Sequence, residues 1–192
     1  VCTHGWTASP EEMRWLSEFL NAQGLTVFAP RLSGHGTDPR IMARQHRLTW
    51  TEDVFDGIAL LRARCRKVFA IGLSMGALLS LRAAAYGRVD GVVAMAAPLE
   101  LHNRAMKFAP IIQRVTPMLK KDDWPGRLGE YVREVQRAQG RPDYGRMDYG
   151  VYPASTVWQL LRLGQEVQAE MPRIKVPALL IYSKGDQTVP YD

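Results

Sequence analysis

Two spacings of apolar residues alternate along the chain. Short continuous runs at residues 1–3, 25–29, 67–71, 91–96 and 177–183 read as strands buried in a sheet, the last opening with PALLIYS. Between them the apolar positions recur with a helical period. Ser9 is placed as an N-cap, Pro10 suits the first helical position, and Glu12 closes a capping box. Met13, Leu16 and Leu20 then share a face widened by Trp15 and Phe19, up to the stop at Gly24. Thr49 and Glu52 form a second capping box, opening a helix with Val54, Phe55, Ile58 and Leu61 inward and an end near Arg64. A third helix starts at Met75, carries Leu78, Leu81 and Ala85, and stops at Gly87.

Strands alternating with helices predict an α/β fold: an open, mostly parallel sheet with helices on both faces and ligands at the C-terminal strand ends. Residues 98–174 break that rhythm. They contain no strand-like run but three helical patterns: Met106, Ala109 and Ile112; Leu128, Tyr131, Val132 and Val135; and Val157, Leu160, Leu161, Gly164 and Val167. The expected division is therefore a core of residues 1–97 and 175–192, with residues 98–174 as a small helical cap and return helix. There are no internal repeats or low-complexity tracts.

The candidate chemistry follows the predicted strands. Gly72-Leu73-Ser74-Met75-Gly76 ends one strand and opens a helix, the strand–turn–helix setting of a GxSxG nucleophile elbow. A serine there is thrust into solvent, with the helix N-terminus and the Met75 N–H facing the point where an oxyanion would form. The plain alternative is a glycine-rich turn carrying an ordinary serine, and the flanking strand and helix favour the elbow. His4 and Gly5 follow the first strand, so their loop is placed to supply a second oxyanion donor, assigned to the Trp6 N–H. Asp186, in Lys184-Gly185-Asp186 after the last strand, reads as a turn aspartate or as the acid that orients a histidine.

Composition narrows the partners. The chain has 192 residues, enough for one domain with a sizeable core, and its 46% apolar and 23% charged content is that of a globular protein. No apolar run approaches the roughly 20 residues needed to cross a bilayer, so stable membrane insertion is not expected. The formal charge of +6 is concentrated: residues 104–141 carry nine Lys or Arg against four Asp or Glu. Without interleaved aromatic residues this is a solvated basic face rather than a nucleic-acid site. Cys2 and Cys65 show no disulfide framework or metal spacing, and suit a reducing, cytoplasmic setting. No metal or cofactor is expected, and no oligomeric state is indicated.

The segments HGWTASP, FAPRLSGHGT, FAIGLSMGA, YPASTVWQLLRL and VPALLIYSKGDQTVP, in that order, resemble the α/β-hydrolase family of bacterial monoacylglycerol lipases and carboxylesterases. That resemblance implies Ser74 as nucleophile, Asp186 as triad acid, and Trp6 and Met75 as oxyanion donors. It also implies a cap after Pro98 over an acyl pocket, no cofactor, and a monoacylglycerol or simple ester as substrate. His4, Gly5, His35 and Ile112 are candidate substrate contacts. One departure stands out: in this fold the triad histidine follows the acid, and none of His4, His35, His46 or His102 does so. The expectation is a serine ester hydrolase whose histidine lies outside these residues, in a chain shortened at both ends. Rival readings are another serine α/β-hydrolase chemistry (thioester, C–C bond or perhydrolysis) and a non-catalytic binding protein of the same fold. Serine rather than aspartate at the elbow argues against haloalkane dehalogenase or epoxide hydrolase chemistry.

Overall fold

The structure is a computed structural model and describes residues 1–100, 108–112, 114–121, 126–186 and 189. Along the chain run β1 (Cys2–Thr3), a 3-10 turn (Pro10–Met13) leading into α1 (Arg14–Ala22), α2 (Pro39–Met42), α3 (Arg47–Arg62) and β2 (Phe69–Leu73). There follow α4 (Met75–Ala85), β3 (Gly91–Met95), α5 (Ala109–Ile112), β4 (Met118–Lys120), α6 (Gly126–Ala138), β5 (Val151–Pro153), α7 (Ala154–Glu170) and β6 (Ala178–Ile181).

Strands β1, β2, β3 and β6 lie in that spatial order and are all parallel, as continuous apolar runs joined by helices require. Thr3 stands opposite Gly72, Leu73 opposite Met95, and Met95 opposite Ile181, so all four strands end at one rim. Helix α4 is apolar on every side, the mark of a buried helix, and every residue from Met75 to Ala84 is buried. It packs on β2 and β3, with α3 and α7 over its outer side. Leu78, Leu79, Leu81, Leu163 and Trp50 are fully buried in this core, each Leu contributing about 2 kcal/mol by removal from water. The one cation on α4, Arg82, is enclosed with partners: it donates to Glu166 Oε2 (2.8 Å), Glu170 Oε2 (3.0 Å) and Thr51 Oγ1 (3.3 Å), tying α4 to α7 and α3. The opposite face of the sheet, where α1 lies, is thinly covered: Phe69 and Leu179 are about half exposed, and no residue of α1 is buried.

Four local expectations are corrected. Residues 25–29 form no strand. β1 offers them only two residues and joins them through the bond from Cys2 N–H to the Phe28 carbonyl (2.9 Å), Leu25 is bonded back to the end of α1, and the Phe28 ring packs on Gly57 of α3. The capping box at Ser9 does not close: Ser9 Oγ is buried without a partner, and Glu12 turns away to the Gly5 N–H (2.7 Å). Helix α3 begins before the Thr49 box, because His46 Nδ1 accepts the Leu48 N–H (3.2 Å) and caps it. The region after Pro98 is not purely helical, since β4 and β5 pair antiparallel with Leu119 opposite Tyr152. Met106 and His102 lie outside the described residues.

Candidate active site

Ser74 sits between β2 and α4 with φ 54° and ψ −119°, a conformation that costs a non-glycine residue of order 1–3 kcal/mol. Its backbone is fixed on both sides: the N–H donates to the Met95 carbonyl (2.8 Å) and the carbonyl accepts from the Ala77 N–H (2.9 Å). The turn is possible because its flanking glycines have no Cβ. One at Gly72 would fall onto the Gly76 carbonyl, and one at Gly76 onto the carbonyls of Thr3 and His4. As the first residue of α4, Met75 has no carbonyl within the helix to receive its N–H. That donor is left at the mouth of the turn beside Ser74.

The loop after β1 is held peptide by peptide. The Gly5 N–H is taken by Glu12 Oε2. The Gly5 carbonyl accepts from the Ala8 N–H (3.3 Å) and from His4 Nδ1 (2.9 Å). His4 carries its proton on Nδ1 because Nε2 accepts the Leu32 N–H (3.2 Å). In a trans peptide the carbonyl and the following N–H point in opposite directions, so anchoring the Gly5 carbonyl also aims the Trp6 N–H. The Trp6 indole is fixed in turn by a hydrogen bond to Thr156 Oγ1 (3.2 Å) and by stacking on Tyr152 at 4.8 Å and 7°.

Ser74 and Asp186 line one cleft of about 300 Å³, together with Gly5, Trp6, Thr7 and Ala96. The three non-glycine residues with left-handed φ among the described residues are Thr7 (65°), Ser74 and Ala96 (48°), and all three line this cleft. Backbone strain gathered at one place is characteristic of functional sites. Asp186 closes a tight turn after β6, its N–H donating to the Ser183 carbonyl (3.1 Å) and its Oδ1 accepting the Val189 N–H (3.0 Å).

The structure brings together Ser74, Asp186, Trp6 and Gly5, with Met75 adjoining, but not the other expected substrate contacts. His4 and His35 are fully buried and do not line the cleft. Their rings lie 5.0 Å apart beneath the two glycine-containing loops, where they pack and anchor backbone. Ile112 is half-buried on α5, which packs on α7, and it too is absent from the cleft lining. His46 is engaged at the start of α3, so no described histidine lines the cleft.

Sequence reasoning missed a polar rim. Lys121 and Arg146, from the cap, line the cleft beside Glu12. Lys121 Nζ donates to Thr7 Oγ1 (2.9 Å) and Asp148 Oδ2 (2.8 Å), and stands 4.8 Å over the Tyr152 ring. Burial pulls the Lys121 ammonium below its ordinary range, against the opposing pull of Asp148. A side cleft of about 190 Å³, walled by Trp15, Leu128, Val132 and Met147, shares Glu12 and Arg146 with the first. Glu12 carried a signal, an acidic residue early in a helix, but one that pointed to capping. Arg146 and Lys121 carried none, since nothing near them in sequence marks the loop they reach.

Compared with known proteins, residues 1–192 match the Hydrolase_4 family, described as serine aminopeptidase, S33. The chain belongs to this family. It is similar to the thermostable monoacylglycerol lipase of Bacillus sp. (strain H-257), with 33% identity over 99% of this chain and 71% of the relative. It is also similar to a carboxylesterase of Bacillus subtilis (strain 168), with 24% identity over 97% of this chain and 71% of the relative. Among solved structures, one reported for LipS and LipT, two metagenome-derived lipolytic enzymes, superposes with a TM-score of 0.85 at 31% identity, covering 98% of this chain and 73% of the other. The fold is therefore that of the α/β-hydrolases, and the chain is a serine hydrolase of the ester-cleaving branch.

Proposed function

We propose that the protein hydrolyses carboxylic esters through an acyl-enzyme on Ser74, with a monoacylglycerol or simple carboxylic ester as substrate. The observation that carries the reading is the strained Ser74 at the strand-to-helix turn, opening into the cleft that also receives Asp186. The Ser74 hydroxyl attacks the ester carbonyl, and the N–H groups of Met75 and Trp6 receive the oxyanion of the tetrahedral intermediate. A histidine takes the serine proton and returns it to the leaving alcohol, Asp186 orients that imidazole, and water then releases the acid. His4, His35 and His46 are committed elsewhere in the fold, and His102 precedes Asp186; the reading takes as base a histidine that follows the acid in chain order, as the triad of this fold has it. The similarity to a monoacylglycerol lipase and a carboxylesterase of Bacillus supports the monoacylglycerol and ester substrates. We also place the reaction in the cytoplasm, on the strength of the free thiols of Cys2 and Cys65. Among the described residues no helix is long and apolar enough to cross a membrane.

The test is made on the full-length protein with a panel of nitrophenyl esters, monoacylglycerols and an aminoacyl anilide, alongside Ser74→Ala. The expected result is ester turnover that falls by about 10,000-fold or more in the variant. Retained turnover in Ser74→Ala overturns the assignment of the nucleophile, and cleavage of the anilide in preference to every ester overturns the substrate class.

A further inference from the structure

A closed circuit of charged side chains joins the loop after β1 to the cap. It starts at the Gly5 N–H, which donates to Glu12 Oε2 at 2.7 Å. Glu12 Oε1 accepts from Arg146 at 2.8 Å, and Arg146 lies 3.6 Å from Asp148 Oδ2. Asp148 pairs with Lys121 at 2.8 Å, and Lys121 ends the circuit on Thr7 Oγ1 at 2.9 Å. Both ends therefore fall on the loop, at the residues either side of Trp6. The side chains of Glu12 and Lys121 are 11% exposed and that of Asp148 2%, while Arg146, at 32%, reaches partly into water, so the circuit is screened less than a surface ion pair. A further bond, Tyr149 N–H to the Thr7 carbonyl (3.0 Å), ties the same cap segment to the same loop.

Two consequences follow for a developing oxyanion. With its N–H committed to Glu12, Gly5 has no donor to spare, which leaves the Trp6 N–H to face the reacting carbonyl. The Glu12 carboxylate also places a negative charge one residue from that donor, in the lining of the same cleft, where it opposes negative charge on the substrate oxygen. Arg146 is the cation bonded to it, and Arg146 belongs to the cap, between α6 and β5. We propose that Glu12 and Arg146 are a positioning pair through which the cap sets the loop after β1: seated, the cap neutralises Glu12 and holds Gly5 to Thr7 in register with Ser74. This rests on the ester-hydrolase reading above. Neither residue touches the reacting atoms, and both act through the backbone of the loop and through charge.

The experiment is a double-substitution cycle in the full-length protein: Arg146→Ala, Glu12→Gln and the two combined, with Arg146→Lys as the conservative control. The kcat of each is normalised to the sites titrated by a fluorophosphonate, so that misfolded protein does not count. Arg146→Ala leaves the Glu12 charge uncompensated and is expected to lower kcat by about 10- to 100-fold with KM changed by less than about threefold. Glutamine at position 12 still accepts the Gly5 N–H but carries no charge, so the combined variant is expected to recover at least about fivefold in kcat over Arg146→Ala alone. Arg146→Lys is expected to retain most of the wild-type kcat. A combined variant no faster than Arg146→Ala, or an Arg146→Ala whose kcat per titrated site equals wild type, overturns the proposal. If wild-type protein neither turns over an ester nor reacts with the fluorophosphonate, the hydrolase reading falls and the pair falls with it. Wild-type activity with an indifferent Arg146→Ala removes the pair alone.

Discussion

Acidification tests the interior beneath the two glycine-containing loops. His4 and His35 are fully buried with rings 5.0 Å apart. Burial holds the His4 imidazole down to about 4, against a small upward pull from the Gly5 carbonyl. Burial and then the neighbouring His4 hold His35 down to about 3. In the unfolded chain both return to about 6.5. The unfolded state therefore binds more protons than the folded one throughout the interval between these values, and stability falls as the pH falls. The stability that these two neutral histidines contribute is complete above about pH 6.5 and is lost progressively down to the folded-state values near 4 and 3. At about pH 5 each histidine has cost about 2 kcal/mol, or about 4 for the pair, a large share of the 5–15 kcal/mol usual for a domain. The carboxylate of Glu166, held down from 4.5 to about 2 first by its bonds to Arg47 and also by Arg82, gives up its contribution between those values, below the pH 5 of the comparison. Urea unfolding at about pH 7.5 and about pH 5, followed by tryptophan fluorescence, reads the difference. Trp50, whose ring lies 5.6 Å from His35, is a local reporter. The expected fall in the urea midpoint is about 1.5–2 M, and His35→Phe, which removes one of the two titrating groups, should halve it. A midpoint that does not move between the two pH values, or a His35→Phe variant with the full wild-type difference, would refute the reasoning.

Two further outcomes are expected. Gly76→Ala drives a Cβ onto the Thr3 and His4 carbonyls and should cost about 3 kcal/mol or more; Gly87→Ala, with open space but φ +66°, should cost only about 1 kcal/mol. Thermal melts of the two variants rank them, and equal midpoints would contradict the close approach at the elbow. Arg82→Met should destabilise by about 3–5 kcal/mol because Glu170 loses its buried partner while Glu166 keeps Arg47. Adding Glu170→Gln should restore part of that loss in a denaturant titration, and no restoration would mean that the loss is one of packing.

Much of this architecture is written in short-range pattern. The elbow was legible because Gly72, Ser74 and Gly76 are constrained by one another and by the strand and helix that flank them, all within a few residues. The parallel sheet was legible because continuous apolar runs separated by helical periods have few other ways to bury themselves. Asp186 and the loop of His4 to Trp6 followed from standing next after strands that share a rim. The misses share a different cause. Glu12 looks like a capping residue in sequence, but the Gly5 N–H and Arg146, 134 residues away, compete for its carboxylate and win. Residues 25–29 have the composition of a strand yet lack a neighbour long enough to ladder with. His4 and His35 look like site residues because glycines surround them, whereas folding turns both rings inward. The strand-to-helix turn that presents Ser74 and the class of fold are thus properties of local sequence, because steric demands on adjacent residues impose them. The aim of the Trp6 N–H, the strain gathered at Thr7, Ser74 and Ala96, and the charge circuit from cap to loop exist only once distant segments meet, because hydrogen bonds and ion pairs are chosen by proximity in space.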